Sequence, residues 1–208
     1  MDKEKRKDQI MECAKKLFAI HGYYNTQISD IIREANIARG TFYRYFNHKK
    51  DLFVTLLENY YQQWKAGISL EAQELDLRTI TPEAYFRHRV RNSLLFFADD
   101  PYLCKITLRM GLGLPSDMEG SIQRLETKIT ELIEKDIKLG INNNHIRPDI
   151  DVELTANLVV GSILRLSYFY FGLGEEKSSS ADVERITEKV AEMFFPGLFL
   201  KYQPPATN

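Results

Sequence analysis

The sequence predicts an all-α fold of about nine helices. Apolar residues recur three or four positions apart along most of the 208-residue chain, which is the period of an amphipathic helix. No segment keeps the strict alternation of a half-buried strand. The apolar fraction of 44% is sufficient for a packed core. We expect an N-terminal domain over residues 1–55 and a larger helical domain over residues 56–208.

The first helix follows a charged leader. Its apolar positions lie at helical spacing, and they are Ile10, Cys13, Ala14, Leu17 and Phe18. This helix is predicted to end at His21 and Gly22, because a glycine just past the last turn is a common helix stop.

Residues 26–53 contain two short helical patterns joined by a tight turn. The first pattern has an apolar stripe, formed by Ile28, Ile31, Ile32 and Ala35. Asn36 follows, and asparagine adopts a left-handed backbone more readily than most other non-glycine residues. The second helix, over residues 38–45, would bury Phe42 and Phe46. Two helices joined in this way form a helix-turn-helix, whose second helix can enter the major groove of DNA.

The outer side of this second helix carries basic and aromatic side chains. Arg39 and Arg44 are candidates for contacts with bases or phosphates, and the sequence leaves open which of them reads a base. Because the two phenylalanines fill the inward positions, one or both of Tyr43 and Tyr45 would face the duplex. Thr26 is expected to cap the preceding helix, either as a cap alone or while also facing a phosphate.

Residues 10–57 resemble the N-terminal domain of TetR-type transcriptional regulators, which are usually dimeric repressors. The resemblance is carried by AKKLFAIHGYYNT at 14–26, ISDII at 28–32 and ARGTFYRYFNHKKDLF at 38–53. Asn36 departs from the family, which often has glycine there, and Ile32 stands where the family often has alanine.

The outward positions and the resemblance together indicate a set of DNA-contacting residues. These are Thr26, Gln27, Arg39, Gly40, Thr41, Tyr43, Arg44, Tyr45 and Lys49. Lys49 resembles the lysine that starts helix four in the family and grips a phosphate; a solvated surface lysine is the alternative.

Charge is distributed unevenly along the chain. Residues 1–55 hold eleven Lys and Arg and seven Asp and Glu, a net charge of +4. The remaining residues hold 17 Lys and Arg and 22 Asp and Glu, a net charge of −5. This suits an N-terminal domain that meets phosphate and a second domain that does not.

The second domain is predicted to consist of helices only. A fourth helix begins at about residue 48 and connects the two domains. The later helices are expected over residues 82–99, 101–110, 118–139, 151–172 and 183–202, the last of them ending around Pro196.

A small-molecule effector is expected in the second domain, because the family resemblance implies a pocket and aromatic residues are abundant there. The candidate lining residues are Tyr60, Trp64, Phe86, Phe97, Tyr102, Arg109, Met110, Arg165 and Phe169. Any one aromatic residue could simply fill the core, and both arginines could reach solvent. An aromatic, weakly polar lining would favour a hydrophobic or aromatic effector.

The last two helices are the expected dimer interface. The helix over 151–172 is apolar enough to need cover on more than one side, and the resemblance points to the same helices. The candidate interface residues are Leu158, Gly161, Ser162, Arg165, Ile186, Val190 and Phe194. Burial within one subunit is the alternative.

Other classes of function find little support in the sequence. The four histidines and two cysteines share no metal-ligand spacing, so no metal or cofactor is expected, and no catalytic motif of an enzyme is present. No signal peptide or membrane span is expected, which indicates a cytoplasmic protein. We therefore predict a dimeric repressor that leaves a palindromic operator when an effector binds. The alternatives are an activator of the same fold, a helical protein-interaction adaptor, and a helical enzyme with an appended DNA-binding domain.

Overall fold

The computed structural model describes residues 3–74, 80–109, 116–173 and 180–199. Within these ranges the regular structure is helical, and an isolated antiparallel bridge joins Ile146 to Phe199. The helices are α1 Lys3–Asn25, α2 Ile28–Glu34, α3 Arg39–Tyr43, α4 Lys49–Glu74, α5 Pro82–Asp99, α6 Pro101–Arg109, α7 Ser116–Asn142, α8 Val152–Ser167 and α9 Ser180–Leu198. The all-α prediction is confirmed.

The regular part of α1 ends where the sequence predicted. Gly22 has φ 82° and ψ 164°, a conformation that glycine adopts without a Cβ penalty. The chain turns there, so that the Tyr23 ring packs against Phe18 and Phe53 with centroids 5.5 and 5.3 Å away.

α3 is shorter than the predicted helix over 38–45. Ala38 is its N-cap, and after Tyr43 the backbone tightens, because Arg44 N donates to Thr41 O and Tyr45 N donates to Phe42 O. These bonds span three residues instead of four, which ends the α-helix in a tighter turn.

α4 connects the first three helices to the remaining bundle. It begins at Lys49, and its cap uses the residues next to the predicted start: Asp51 Oδ2 accepts from Asn47 N at 3.0 Å, and His48 Nδ1 accepts from Asp51 N at 2.9 Å. With 26 residues, the helix is about 39 Å long.

The later helices differ from their predictions mainly at the ends. Thr81 Oγ1 caps α5 by accepting from Ala84 N at 3.1 Å. α7 exceeds the predicted 118–139 at both ends, and α9 starts earlier than 183 and passes Pro196. A proline so close to a helix end removes only one backbone hydrogen bond, so the helix continues to Leu198.

Packing between helices forms one continuous apolar core from α1 to α9. α5 lies against α9, α7 against α8 and α4, and α1 against α6. A smaller cluster of Ile137, Ile146 and Ala156 closes the end of the bundle where Ile146 pairs with Phe199.

One segment, Val152–Gly172, is long and apolar enough to cross a membrane by length and composition. It comprises α8 and the π-helical turn Tyr168–Gly172. Core helices of soluble proteins pass the same test, and this segment packs against α5, α6 and α7, so it does not indicate a membrane span.

Candidate DNA-contacting face and ligand cavity

The turn between α2 and α3 has the predicted backbone. Asn36 has φ 48°, in the left-handed region. Ile37 N donates to Ile32 O at 3.2 Å across the turn. Gln9 Nε2 of α1 donates to Ala35 O at 2.9 Å, so α1 holds the end of α2 in place.

α3 has one buried side and one exposed side. Phe42 and Phe46 are buried with ring centroids 5.8 Å apart, as predicted. Tyr43 is 43% exposed, and the Arg39 guanidinium lies 5.8 Å from its ring. Gly40 and Arg44 are exposed and Thr41 is half-buried.

The two tyrosines of this segment have different surroundings. Tyr43 points to the outside, whereas Tyr45 is half-buried and packs against the core. Tyr43 is therefore the more exposed of the two tyrosines.

Thr26 does not cap α2, which corrects the prediction. Gln27 is the N-cap, and its backbone N–H donates to Asp30 Oδ2 at 2.9 Å. Thr26 is 1% exposed, and its hydroxyl donates to Gly22 O at 2.8 Å, which holds the threonine against the end of α1. The hydroxyl is turned inward because the kink at Gly22 leaves backbone carbonyls of α1 that need a donor.

Lys49 bridges the end of α1 and the start of α2. Its Nζ donates to Tyr23 O at 2.6 Å and to Thr26 O at 2.7 Å, and it lies 4.2 Å from the centroid of the Tyr23 ring. Burial lowers the pKa of Lys49. Its ammonium is thus held by backbone carbonyls beside the α2 N-terminus and is not a solvated surface charge.

A cavity of about 360 Å³ lies within the bundle, between α4, α5, α7, α8 and the end of α9. Its walls are largely aliphatic and aromatic, with contributions from Trp64, Ile68, Phe86, Val90, Ile133, Ile137, Val159 and Ile163. Small-molecule sites usually enclose roughly 300–1,000 Å³ with a mostly apolar lining. The cavity is therefore suited to an apolar molecule.

An ion pair provides polar groups in this wall. Arg89 Nη2 lies 2.9 Å from Asp136 Oδ2, and Arg89 Nε donates to Tyr85 Oη at 2.8 Å. Burial raises the pKa of the Asp136 carboxyl, and Arg89 opposes that rise. Sequence reasoning missed this pair. A usable signal was present, because Asp136 interrupts the apolar face of α7 between Ile133 and Ile137.

A second, smaller cavity of about 30 Å³ lies between α4, α5, α6, α7 and α8. Its lining includes Tyr60, Trp64, Phe97, Leu103 and Leu164. Tyr60 Oη is buried and has no hydrogen-bond partner among the described residues.

Comparison with known proteins agrees with the geometry of the first helices. Residues 10–56, which span most of α1, the helix-turn-helix and the start of α4, match the sequence model of the bacterial regulatory proteins of the tetR family. Residues 10–56 are a tetR-family DNA-binding domain. The chain is a transcriptional regulator that binds DNA.

Similarity to TetR-family regulators extends beyond this segment. The chain is 26% identical over 163 residues to the fatty acid metabolism regulator protein of Bacillus subtilis, covering 74% of this chain and 78% of that protein. It is 29% identical over 145 residues to the regulator HbdR of Aromatoleum sp., covering 70% of this chain and 62% of that protein.

Solved structures show the same fold. FadR from Bacillus halodurans, a fatty acid degradation regulator, superposes with a TM-score of 0.79 at 20% identity, covering 89% of this chain and 94% of that one. FadR from Bacillus subtilis in complex with stearoyl-CoA superposes with a TM-score of 0.76 at 20% identity, covering 89% of this chain and 96% of that one.

The predicted ligand residues of this regulator fall into separate groups. Trp64 and Phe86 line the main cavity, while Tyr60 and Phe97 line the smaller one. Tyr102 lines neither of these cavities and packs against the core instead. The Arg109 side chain and the whole of Met110 lie outside the described residues.

Arg165 and Phe169 are also corrected as ligand candidates. Both are exposed on α8 and the turn that follows it, and the Arg165 guanidinium lies 5.9 Å from the Phe169 ring. They do not line either cavity because their side of α8 faces away from the bundle.

The predicted dimer residues divide between two environments. Leu158 is 55% exposed, Gly161 and Arg165 are exposed, and Ser162 is half-buried. These residues lie on the uncovered side of α8.

The three candidates on α9 face their own subunit. Ile186 and Val190 are buried, and Phe194 packs on Phe86 with ring centroids 6.0 Å apart. The prediction is corrected here because the apolar stripe of α9 is used to pack on α5. Met193, 82% exposed, is the residue that α9 presents outward instead.

Proposed function

We propose that this TetR-family regulator is a dimeric repressor that binds a near-palindromic operator and is released by a hydrophobic effector. The observation that carries this proposal is the outer side of α3. Phe42 and Phe46 anchor that helix in the core, while Arg39 and Tyr43 remain outside and in contact with each other. A rigidly anchored helix with basic and aromatic side chains facing outward is suited to a major groove.

The proposed DNA-contacting residues lie on α3, at the start of α2 and at the start of α4. They are Gln27, Arg39, Gly40, Thr41, Tyr43, Arg44, Tyr45 and Lys49. Thr26 contributes through position only, since its hydroxyl is bonded to α1. Lys49 fixes the start of α2 by donating to Thr26 O. We assign residues 1–55 to DNA binding and 56–208 to effector binding and dimerisation.

The proposed dimer forms around the uncovered side of α8. Leu154, Leu158 and Phe169 are large apolar side chains exposed on that side. Gly161 lies between them, and a Cβ built there meets no atom within 4 Å, so a second helix could approach closely. A two-fold axis at this surface would present two α3 helices, which need a spacing of about 34 Å to enter successive major grooves.

The proposed effector is an elongated apolar molecule such as a long-chain acyl thioester. The largely apolar lining and volume of the main cavity support this class, and the structure of the relative from Bacillus subtilis holds stearoyl-CoA. The effector would act through its different affinity for the DNA-bound and DNA-free forms.

Selection of bound DNA from a random pool, repeated with and without acyl-CoA, tests the proposal. We expect a palindromic consensus, retention that falls steeply with salt, and loss of the consensus when stearoyl-CoA is added. Free coenzyme A is the matched control and should leave binding unchanged. Recovery of no consensus sequence, or of salt-independent binding, would contradict the proposed repressor and favour a protein-interaction role.

A further inference from the structure

The two cavities lie end to end along the same helices. On α4, Ile68 lines the main cavity, Trp64 lines both and Tyr60 lines the smaller one, each about one turn from the next. On α5 the lining passes from Arg89 in the main cavity to Phe97 in the smaller one. On α7 it passes from Asp136 in the main cavity to Ile129 in the smaller one. The main cavity thus points along the bundle into the smaller one.

Trp64 is the residue that the two linings share. Its indole is 5% exposed, and Nε1 donates to Ser93 Oγ at 3.3 Å across the bundle from α4 to α5. This single long hydrogen bond joins the indole to the opposite wall of the main cavity. Displacing the indole breaks this hydrogen bond and its ring contact with Tyr61, whose centroid lies 6.2 Å away, and an incoming alkyl chain would replace the apolar packing.

The smaller cavity has an almost entirely apolar lining, to which the ring of Tyr60 contributes, and this suits the end of an alkyl chain. Tyr60 Oη is buried without a hydrogen-bond partner among the residues described. Burial raises the pKa of the Tyr60 phenol far above its ordinary value, and the negative charges of Asp100 and Glu12 add to that rise. The phenol is therefore uncharged at neutral pH, so Tyr60 presents no charge to an alkyl chain in the smaller cavity.

We propose that Trp64 is a movable partition that sets the length of the apolar chain accepted by this regulator. A chain that stops at the indole fills the main cavity alone. A longer chain displaces the indole from Ser93 and enters the smaller cavity, where the aromatic and aliphatic side chains around Tyr60 cover it. The inference rests on the proposed function, in that it assumes an elongated apolar effector in the main cavity.

The single tryptophan of the chain makes the partition observable. We would titrate the full-length protein with acyl-CoA thioesters from butyryl-CoA to stearoyl-CoA, each below its micellar concentration. Calorimetry would give affinities, and tryptophan emission would report the indole environment. In the wild type we expect affinity to rise with chain length and then to level off, with the emission shift beginning at that same length.

Three variants separate a partition from ordinary packing. In Trp64→Ala, affinity should continue to rise past the wild-type plateau, by about fourfold for each further buried methylene. Ser93→Ala keeps the packing but removes the acceptor, so it should tighten binding of the longest chains about fivefold more than binding of short chains. Phe86→Leu, in the main cavity, should change affinity for all lengths by a similar factor and keep the plateau in place.

Each outcome decides one question. An unchanged plateau in Ser93→Ala and in folded Trp64→Ala, or emission that does not depend on chain length, would overturn the partition while leaving the proposed effector class intact. If Trp64→Ala does not give a cooperative melt, Ser93→Ala and the wild-type emission carry the test. Failure of every thioester to bind the wild type would contradict the proposed function itself.

Discussion

Lys15 Nζ lies 2.6 Å from Asp100 Oδ2, which joins α1 to the residue preceding α6. Lys15 is buried, and Glu12 Oε1 is its second partner at 2.7 Å. Asp100 Oδ1 also accepts from Leu103 N at 3.3 Å. Since Leu103 lines the smaller cavity, this contact lies between the helix that supports the DNA-contacting face and the cavity wall.

Asp100→Asn should destabilise the protein by about 2 kcal/mol, because it leaves a buried ammonium without its less exposed anionic partner. Urea unfolding at neutral pH would measure the change. Glu12→Gln is the matched control: its carboxylate is more than half exposed, so its loss should cost less than about 1 kcal/mol. Equal losses in the two variants would show that the α1–α6 contact carries no special stability.

The same contact predicts a loss of stability at high pH. Burial disfavours the Lys15 ammonium, but hydrogen bonds to Asp100 and Glu12 outweigh it, so the pKa of Lys15 lies above its ordinary value. The folded state therefore holds this proton more tightly than the unfolded chain. The contribution of the Lys15 ammonium to stability is complete below the pKa of a lysine in the unfolded chain, about 10.4. It is lost as the pH rises through the higher pKa of Lys15 in the folded protein. Unfolding free energies of the wild type and Lys15→Met should converge above that window, and a constant difference would contradict the linkage.

The left-handed turn residue gives a prediction about the helix-turn-helix alone. Asn36→Ala should lower the free energy of unfolding by about 1 kcal/mol, because at φ 48° any Cβ lies close to the following carbonyl, and the short polar side chain of asparagine offsets this strain locally whereas a methyl group cannot. Asn36→Gly should be nearly neutral, since glycine adopts this φ without that contact. Thermal melts of both variants would check the pair. Equal losses would indicate that the asparagine side chain, and not the backbone angle, stabilises the turn.

The sequence predicted the parts of the fold that depend on local chemistry. The helical period, the stop at Gly22 and the left-handed turn at Asn36 are properties of a few neighbouring residues. The buried Phe42 and exposed Tyr43 follow from a 100° step along one helix. These features could be predicted because no distant residue decides them.

The incorrect expectations concern residues whose environment is set by distant parts of the chain. Threonine is a common helix cap, but the Thr26 hydroxyl donates to a carbonyl of α1 instead. Ile186 and Val190 form an apolar stripe that could pack on a partner subunit or on α5. Periodicity alone cannot distinguish these two packing arrangements. Arg89 meets Asp136 across 47 positions of sequence, which no local pattern reveals.

Tyr43→Ala should abolish operator binding without affecting folding. The side chain is exposed on α3, so its removal should change stability by less than about 0.5 kcal/mol. Gel shifts with the selected operator, together with thermal melts, would measure both effects. Tyr43→Phe would show whether the hydroxyl or the ring is required, and Lys135→Ala, an exposed change on α7, is the control. Wild-type affinity in Tyr43→Ala would mean that the outer side of α3 is not the surface that meets DNA.

Leu158→Glu should convert the proposed dimer to monomers. If two copies of α8 pack on each other, each glutamate would enter an apolar contact close to its symmetry mate, where desolvation and like-charge repulsion both oppose association. Sedimentation velocity at matched concentrations would measure the change. Leu139→Glu makes the same chemical change at an exposed leucine of α7 and should leave the dimer intact. Because Leu158 is exposed in the single subunit, the variant should remain folded, and its operator affinity should fall since each monomer could occupy only one half-site. A dimer that persists in Leu158→Glu would place the interface elsewhere and remove the basis for pairing two α3 helices through α8.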